Sequence, residues 1–302
     1  MGRGRTVRIA RLIVGGVLLV VALAGCTRGE LEDKLRFGWP RGITDQAREM
    51  RVLWTWASVT ALIVGVGVWG LMFWCAIFYR RRGAELPRQT KYNLPLEFLY
   101  TVVPFVIIAV LFYYTAVTEN RVTQLSAHPD TTVHVLAFKW NWEFQYADQR
   151  DPQTNDFVYT VGSSDEIPIL VIPEGKKVRF TETSNDVVHS FWVPEFLFKR
   201  DVFPTPENQF ELTATKTGSY VGRCAELCGT YHSEMNFEVR VVSDDKYRQY
   251  LQALARLGNA DPGRQSKALV EIGQPGQATT TYPFNTNRVD RAPSEPSDSQ
   301  GG

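Results

Sequence analysis

The sequence predicts a membrane-anchored protein: a two-helix transmembrane hairpin followed by an all-β sandwich. Two observations carry that expectation. Two long stretches, Val52–Tyr79 and Phe98–Val117, contain no charged residue. From Val133 onward the apolar period changes to two, in short segments separated by turn residues. Overall charge adds little, since 33 Lys+Arg stand against 32 Asp+Glu in 302 residues. That balance makes no electrostatic case for a nucleic-acid partner.

The elements follow in chain order. Residues 1–25 read as a signal peptide: Arg3, Arg5, Arg8 and Arg11 precede the apolar run Leu12–Ala24, which ends on small residues. Leu23-Ala24-Gly25-Cys26 resembles a bacterial lipobox, in which cleavage precedes Cys26 and the new N-terminus is acylated. The plainer alternative is a stray cysteine in an ordinary signal sequence. Residues 26–51 then form an extracytoplasmic N-terminal segment.

Residues 52–79 exceed the roughly 20 that span a bilayer. Trp54 and Trp56 stand at one end and Trp74, Phe78 and Tyr79 at the other, as interfacial aromatics do. The loop 80–94 holds Arg80, Arg81, Arg82, Arg88 and Lys91 against the single acid Glu85. Positive loops stay inside, so this one is cytoplasmic. The second span, 95–118, carries Pro104 as a mild kink, and everything after it faces outward, as an acylated Cys26 also requires.

Residues 119–243 form the sandwich. A half-buried strand begins at Val133, with His134, Leu136, Phe138, Trp140, Trp142, Phe144 and Tyr146 on one face. Further strands are expected at Phe157–Val161, Ile167–Ile172, Lys177–Thr183, Gln209–Ala214, Gly218–Arg223 and Asn236–Val242. Residues 244–302 comprise a surface helix, Asp244–Leu257, and a flexible tail. Beyond Asn259 the tail is rich in Gln, Thr, Ser, Pro and Gly, with too little apolar surface to repay ordering.

The chemistry is concentrated in Cys224-Ala-Glu-Leu-Cys228-Gly-Thr-Tyr-His232-Ser-Glu-Met235, with His189 upstream in Asn185-Asp186-Val187-Val188-His189-Ser190-Phe191-Trp192-Val193-Pro194. Thiolates, imidazoles and a thioether are soft and borderline donors that suit copper and argue against magnesium or calcium as the main metal. Three other readings fit CxxxC alone: a disulfide, a tetrahedral structural zinc and a redox-active thiol pair. His232, Met235 and His189 at these spacings favour copper. A blue-copper site uses one Cys; the second here supplies enough thiolate to bridge two coppers. His128 and His134 lack a nearby thiol or carboxylate and read as ordinary polar or strand histidines, and Cys75 as a small packed residue.

CAELCGTYHSEM together with DVVHSFWVP closely resembles the CuA loop and upstream histidine of subunit II of cytochrome c oxidases. The resemblance covers roughly residues 40–245 and implies an all-β cupredoxin-like sandwich. It implies a binuclear CuA centre of two copper ions with Cys224 and Cys228 bridging, His189 and His232 as imidazole ligands, Met235 as a weak thioether ligand and Glu226 giving its backbone carbonyl. The Glu226 carboxylate would reach a magnesium shared with subunit I. All ligand positions are filled, which disfavours quinol-oxidase relatives. Trp140 would be the electron entry point, although the family often has His-Gln where this chain has Phe138-Lys139; alternating aromatics on a strand are otherwise core. Glu97 matches a family glutamate at a proton-channel entrance, against a plain helix-dipole role worth roughly 0.3–1 kcal/mol.

The reading implied is a lipid-anchored oxidase subunit, multi-pass in the bacterial plasma membrane, with the CuA domain on the outer face. Its partners would be oxidase subunit I and other oxidase subunits, membrane lipid, and cytochrome c or a cytochrome c-containing bc complex. Haems would lie in the partner subunit, where oxygen is reduced to water with proton pumping. No catalytic residue is expected in this chain alone. A thioredoxin-like copper chaperone is the first rival, but Gly229 rather than Pro follows Cys228 and the surroundings are all-β. A nitrous-oxide reductase would need a further large propeller.

Overall fold

The computed structural model describes residues 33, 35–81, 83–84 and 89–283. The proposed signal peptide and Cys26 lie outside them. Helix α1 runs Asp45–Phe78 and α2 Leu94–Thr123, so each continues past its apolar run into polar residues. Both are long and apolar enough to cross a membrane, and their most apolar stretches are unburied. Side chains such as Trp56, Val66, Phe105 and Phe112 are exposed, a surface suited to lipid rather than to water. In α1, Trp54 stacks on Trp39 with centroids 4.6 Å apart, and its indole donates to the Arg36 carbonyl at 3.0 Å. Cys75 is exposed on α1 rather than packed, in a segment where lipid would surround it. Asn93 caps α2: its side-chain oxygen accepts the Leu96 N–H at 3.3 Å, and α2 continues through Pro104.

The β domain contains ten strands: β1 Thr131–Phe138, β2 Asn141–Arg150, β3 Phe157–Val161, β4 Ile169–Pro173, β5 Lys177–Ser184, β6 His189–Val193, β7 Phe198–Val202, β8 Asn208–Thr213, β9 Gly218–Cys224 and β10 Asn236–Val242. They form two five-stranded sheets, ordered β3-β2-β1-β5-β8 and β4-β10-β9-β6-β7. Between them lie Trp142, Phe144, Phe180, Phe191, Phe210 and Phe237, all buried. Phe180 stacks on Phe210 and Phe191 on Phe237, each pair at 4.8 Å. The chain before α1 also joins this domain. Thr44 bridges Ala214, and the Thr215 N–H donates to the Ile43 carbonyl at 2.7 Å.

The structure corrects the sequence expectation in three places. The alternating run from Val133 to Tyr146 is a hairpin, with Phe138 facing Asn141 across a turn at Lys139-Trp140. The turn reverses parity, so the buried side chains are Val133, Val135 and Ala137 on β1 but Trp142, Phe144 and Tyr146 on β2. Trp140 therefore belongs to a turn, not to a strand face. Strands β6 and β7 were not expected; β6 is too short and too continuously buried to show a period.

The third correction concerns the tail. The surface helix is present as α3, Asp244–Leu257, but residues after Asn259 continue into α4, Arg264–Glu271. Ala268, Leu269 and Ile272 of this region are buried. Gln265 serves the edge strand β4 by accepting the Ile169 N–H at 2.8 Å and donating to the Ile167 carbonyl at 3.0 Å. The segment to Thr280 is tied by a fully buried ion pair, Arg240 with Glu238. Arg240 donates to the carbonyls of Pro275 and Gln277. Glu238 accepts the N–H groups of Thr279 and Thr280 at 2.6 and 2.8 Å. Polar side chains bonded to backbone groups, together with the buried Ala268, Leu269 and Ile272, hold this region in place.

Candidate metal centre

Strand pairing assembles the site. β6 pairs with β9 so that Phe191 faces Cys224, which brings His189, at the start of β6, beside the end of β9. The base of the loop is closed by the Cys224 N–H donating to the Met235 carbonyl at 3.1 Å, and the Ala225 N–H donates to Ser190 at 3.0 Å. Within the loop, His232–Glu234 form a 3-10 turn that folds His232 and Met235 back toward the thiols. Trp142 is the floor: its indole donates to the Met235 carbonyl at 3.2 Å, and its ring meets His189 edge-on.

Six residues thereby present donors to one another. Cys224 Sγ lies 3.8 Å from Cys228 Sγ, far beyond the bond length of a disulfide, and both thiols are free. His189 Nδ1 is 3.8 Å from Cys224 Sγ, and the Glu226 carbonyl is 3.3 Å from the same sulfur. Around Cys228 Sγ stand His232 Nδ1 at 3.6 Å and Met235 Sδ at 3.8 Å. His189, Cys224, Cys228 and Met235 are buried. The metal-binding atoms of His189, Cys224 and Cys228 fall within 4.8 Å of each other. Two thiols, two imidazoles, a thioether and a carbonyl are a donor set that fits copper. A four-coordinate zinc would leave the last two idle.

The electrostatics suit a cation. Burial raises the Cys224 pKa, but hydrogen bonds from His189, from the Glu226 and Ser190 backbone and from His232 outweigh that and bring it down to about 7. Cys228 is pushed up to about 12 by burial and by the neighbouring Cys224 charge. One thiolate is thus available near neutral pH. A cation bound by both sulfurs displaces the remaining proton, so metal loading releases protons. Burial lowers the His189 pKa, yet its hydrogen bonds to Cys224 and Asp186 leave it raised. Asp186, three residues before His189, accepts from Nε2 at 2.8 Å.

Trp140 sits over the loop. Its indole donates to the Cys228 carbonyl at 3.3 Å, and its ring meets Tyr231 edge-on at 5.0 Å. Gly229 permits this approach: its φ is +123°, and a Cβ there would lie 3.2 Å from Trp140 Cζ2. Glu97 does not join the cluster. It lies in the first turn of α2, where it accepts the Asn93 N–H at 2.9 Å and so caps the helix with Asn93. The Glu226 side chain is exposed. His134 bonds Thr181 and stacks on Phe157, and His128 is exposed, so both stay outside the centre. Asp186, Trp142 and Gly229 act at the site without having been singled out for it. For Asp186 the signal was available, as an acid one helical turn's spacing before a ligand histidine.

Residues 131–242 match the family model for the periplasmic domain of cytochrome c oxidase subunit II. A probable cytochrome c oxidase subunit 2 of Nocardia farcinica is 44% identical, over 97% of this chain and 92% of that protein. The chain belongs to the cytochrome c oxidase subunit 2 family. The subunit 2 of Mycobacterium tuberculosis H37Rv is 42% identical over 91% of this chain and 88% of its own. That of Streptomyces avermitilis is 40% identical over 83% and 88%. Among solved structures, the periplasmic domain of subunit II from Bradyrhizobium japonicum is 28% identical, with a TM-score of 0.38, covering 44% of this chain and 98% of that one. The protein is therefore a membrane-anchored subunit of an oxidoreductase, with its sandwich on the outer face of the membrane.

Proposed function

We propose that this subunit 2 is the electron-entry subunit of a haem–copper oxidase, with a binuclear CuA centre held by His189, Cys224, Glu226, Cys228, His232 and Met235. The observation that carries the reading is the meeting of those six donors, with the two cysteine sulfurs 3.8 Å apart so that both can serve two metals. Bound there, a copper pair would accept and release one electron at a time. The chain's residues supply the rest. Strands β6, β9 and β10 hold both ends of the loop, so the donors move little when the charge at the centre changes. Burial of His189, Cys224, Cys228 and Met235 keeps bulk water from reorganising around that charge. The indole of Trp140, bonded to the Cys228 carbonyl, offers a short route inward from a docked cytochrome c or cytochrome c-containing bc complex.

In this reading electrons pass on to haem in subunit I, where oxygen becomes water with proton pumping. The Glu226 carboxylate, exposed beside the loop, would meet a magnesium shared with subunit I. Glu97 would stand at a proton-channel entrance, and Cys26 would carry the acyl anchor. Both helices would cross the plasma membrane, with residues 80–94 inside. A reporter inserted between Arg82 and Lys91 should then be active only when cytoplasmic, and one near Ser243 only when external. Both on one side would contradict the two-span topology.

The decisive experiment is purification through a tag on this chain, with visible spectra and metal analysis. Haem with more than one copper per chain is expected. One zinc and no copper would instead favour a structural site made of the same Cys and His residues.

A further inference from the structure

Asp186 contributes no donor to the centre, yet its carboxylate touches both of its sides. One oxygen, Oδ1, accepts from Nε2 of His189 at 2.8 Å. The other, Oδ2, accepts the backbone N–H of Lys139 at 2.7 Å. Lys139 immediately precedes Trp140, whose indole donates to the Cys228 carbonyl at 3.3 Å. Contacts therefore run in a ring from His189 through Asp186, Lys139 and Trp140 to Cys228, whose sulfur lies 3.8 Å from that of Cys224.

We propose that Asp186 is a positioning residue that fixes the tautomer of His189 and, with the same carboxylate, locks the β1–β2 turn that carries Trp140. Ligand ring and electron-entry indole would then be held in one fixed relation. The inference rests on the copper reading of the site and adds a residue to it.

Three physical points support the assignment. A carboxylate only accepts hydrogen bonds, so Nε2 carries a hydrogen and Nδ1 is the ring nitrogen left to serve a metal. Nδ1 is the atom that faces Cys224, at 3.8 Å. A carboxylate behind a ligand imidazole also strengthens it as a donor. Asp186 is itself held in place: Oδ1 accepts the Val187 N–H at 2.7 Å, and its own N–H donates to Ser184 Oγ at 3.2 Å. A preset carboxylate with each oxygen assigned is what a positioning role requires and a merely solvated acid would lack.

The test uses the full-length chain and two variants, Asp186→Asn and the more disruptive Asp186→Ala. The chain has four histidines, so ring ¹⁵N resonances are assignable in metal-free protein. The parent should show a hydrogen fixed on His189 Nε2, and Asp186→Ala a mixture of ring forms. In copper-loaded protein, Asp186→Asn should lose about 10- to 100-fold in copper affinity by chelator competition. Its midpoint potential should rise, because a negative charge beside a ligand is gone. The Trp140 indole N–H, assigned with Trp140→Phe, should shift and exchange faster with solvent. Parental tautomer, potential and indole signal in Asp186→Asn would overturn the proposal. A changed tautomer with an unmoved indole would overturn the claim that one group holds both. If the parent bound no copper pair, the function reading would fail, while the metal-free tautomer would still decide the role of Asp186.

Discussion

Replacing Gly229 with alanine tests how tightly the loop geometry is specified. Gly229 has φ +123°, a region in which an L side chain is strained by about 1–3 kcal/mol. The added Cβ would also lie 3.2 Å from Cζ2 and 3.3 Å from Nε1 of Trp140. The ring must then move by a few tenths of an ångström. Its hydrogen bond to the Cys228 carbonyl is already 3.3 Å long and would weaken, a loss of about 0.5 kcal/mol, at the low end for such bonds. Together these give about 1.5–3.5 kcal/mol against the native loop. Copper binding needs that loop, and 1.4 kcal/mol is a factor of ten. Gly229→Ala should therefore lower copper affinity roughly 10- to 300-fold. Chelator competition on the full-length chain measures this, with Thr230→Ala, exposed in the same loop, as a control near parental affinity. Parental affinity in Gly229→Ala, with an unshifted Trp140 indole resonance, would refute the reasoning.

Three further outcomes are expected. Glu97→Ala should slow turnover of the assembled oxidase while reduction of the copper site by cytochrome c stays fast; unchanged turnover across pH would leave Glu97 only the capping role seen with Asn93, worth about 1 kcal/mol. Arg240→Met should destabilise the outer domain by about 3 kcal/mol, the low end for a broken buried pair, because Glu238 keeps its bonds to Thr279 and Thr280. Thermal unfolding reads that loss, and faster proteolysis within residues 275–283 reads release of the tail; an intact, equally stable variant would discount the clamp. Glu182 is buried with neither carboxylate oxygen paired, and burial raises its pKa well above 4.5. The folded state therefore holds a proton that the unfolded state loses, so stability falls as pH rises from 4.5 toward the folded value. Glu182→Gln should flatten that decline in denaturation curves taken between pH 5 and 8, and an unaltered slope would count against it.

Much of this was legible from residue order because local pattern and tertiary role coincide. β3, β10 and α3 begin and end where alternation or an apolar stripe begins and ends. The ligands are legible because five of the six lie in one loop and His189 is marked by its own motif. Legibility fails where the signal is not periodic. The turn at Lys139-Trp140 is flanked by strands of opposite parity, so an unbroken alternation of side chains conceals a reversal. The residues after Asn259 look too polar to order. Gln265, Arg264 and the Glu238–Arg240 pair nonetheless hold them by satisfying backbone groups, a contribution composition cannot register. Asp186 is half legible: its spacing before His189 is in the sequence, but its bond to the distant Lys139 N–H is not.

The most direct test of the account is electron spin resonance of the copper-loaded full-length chain, prepared under reducing conditions so that Cys224 and Cys228 bind as thiolates. The parent should show one unpaired electron shared by two copper nuclei. Met235→Leu should keep that shared pattern with an altered potential, since a thioether is a weak ligand to one metal. Cys224→Ser or Cys228→Ser should lose it, because each sulfur serves both metals. A parent spectrum of isolated single coppers, or a shared pattern surviving in either cysteine variant, would contradict the binuclear site.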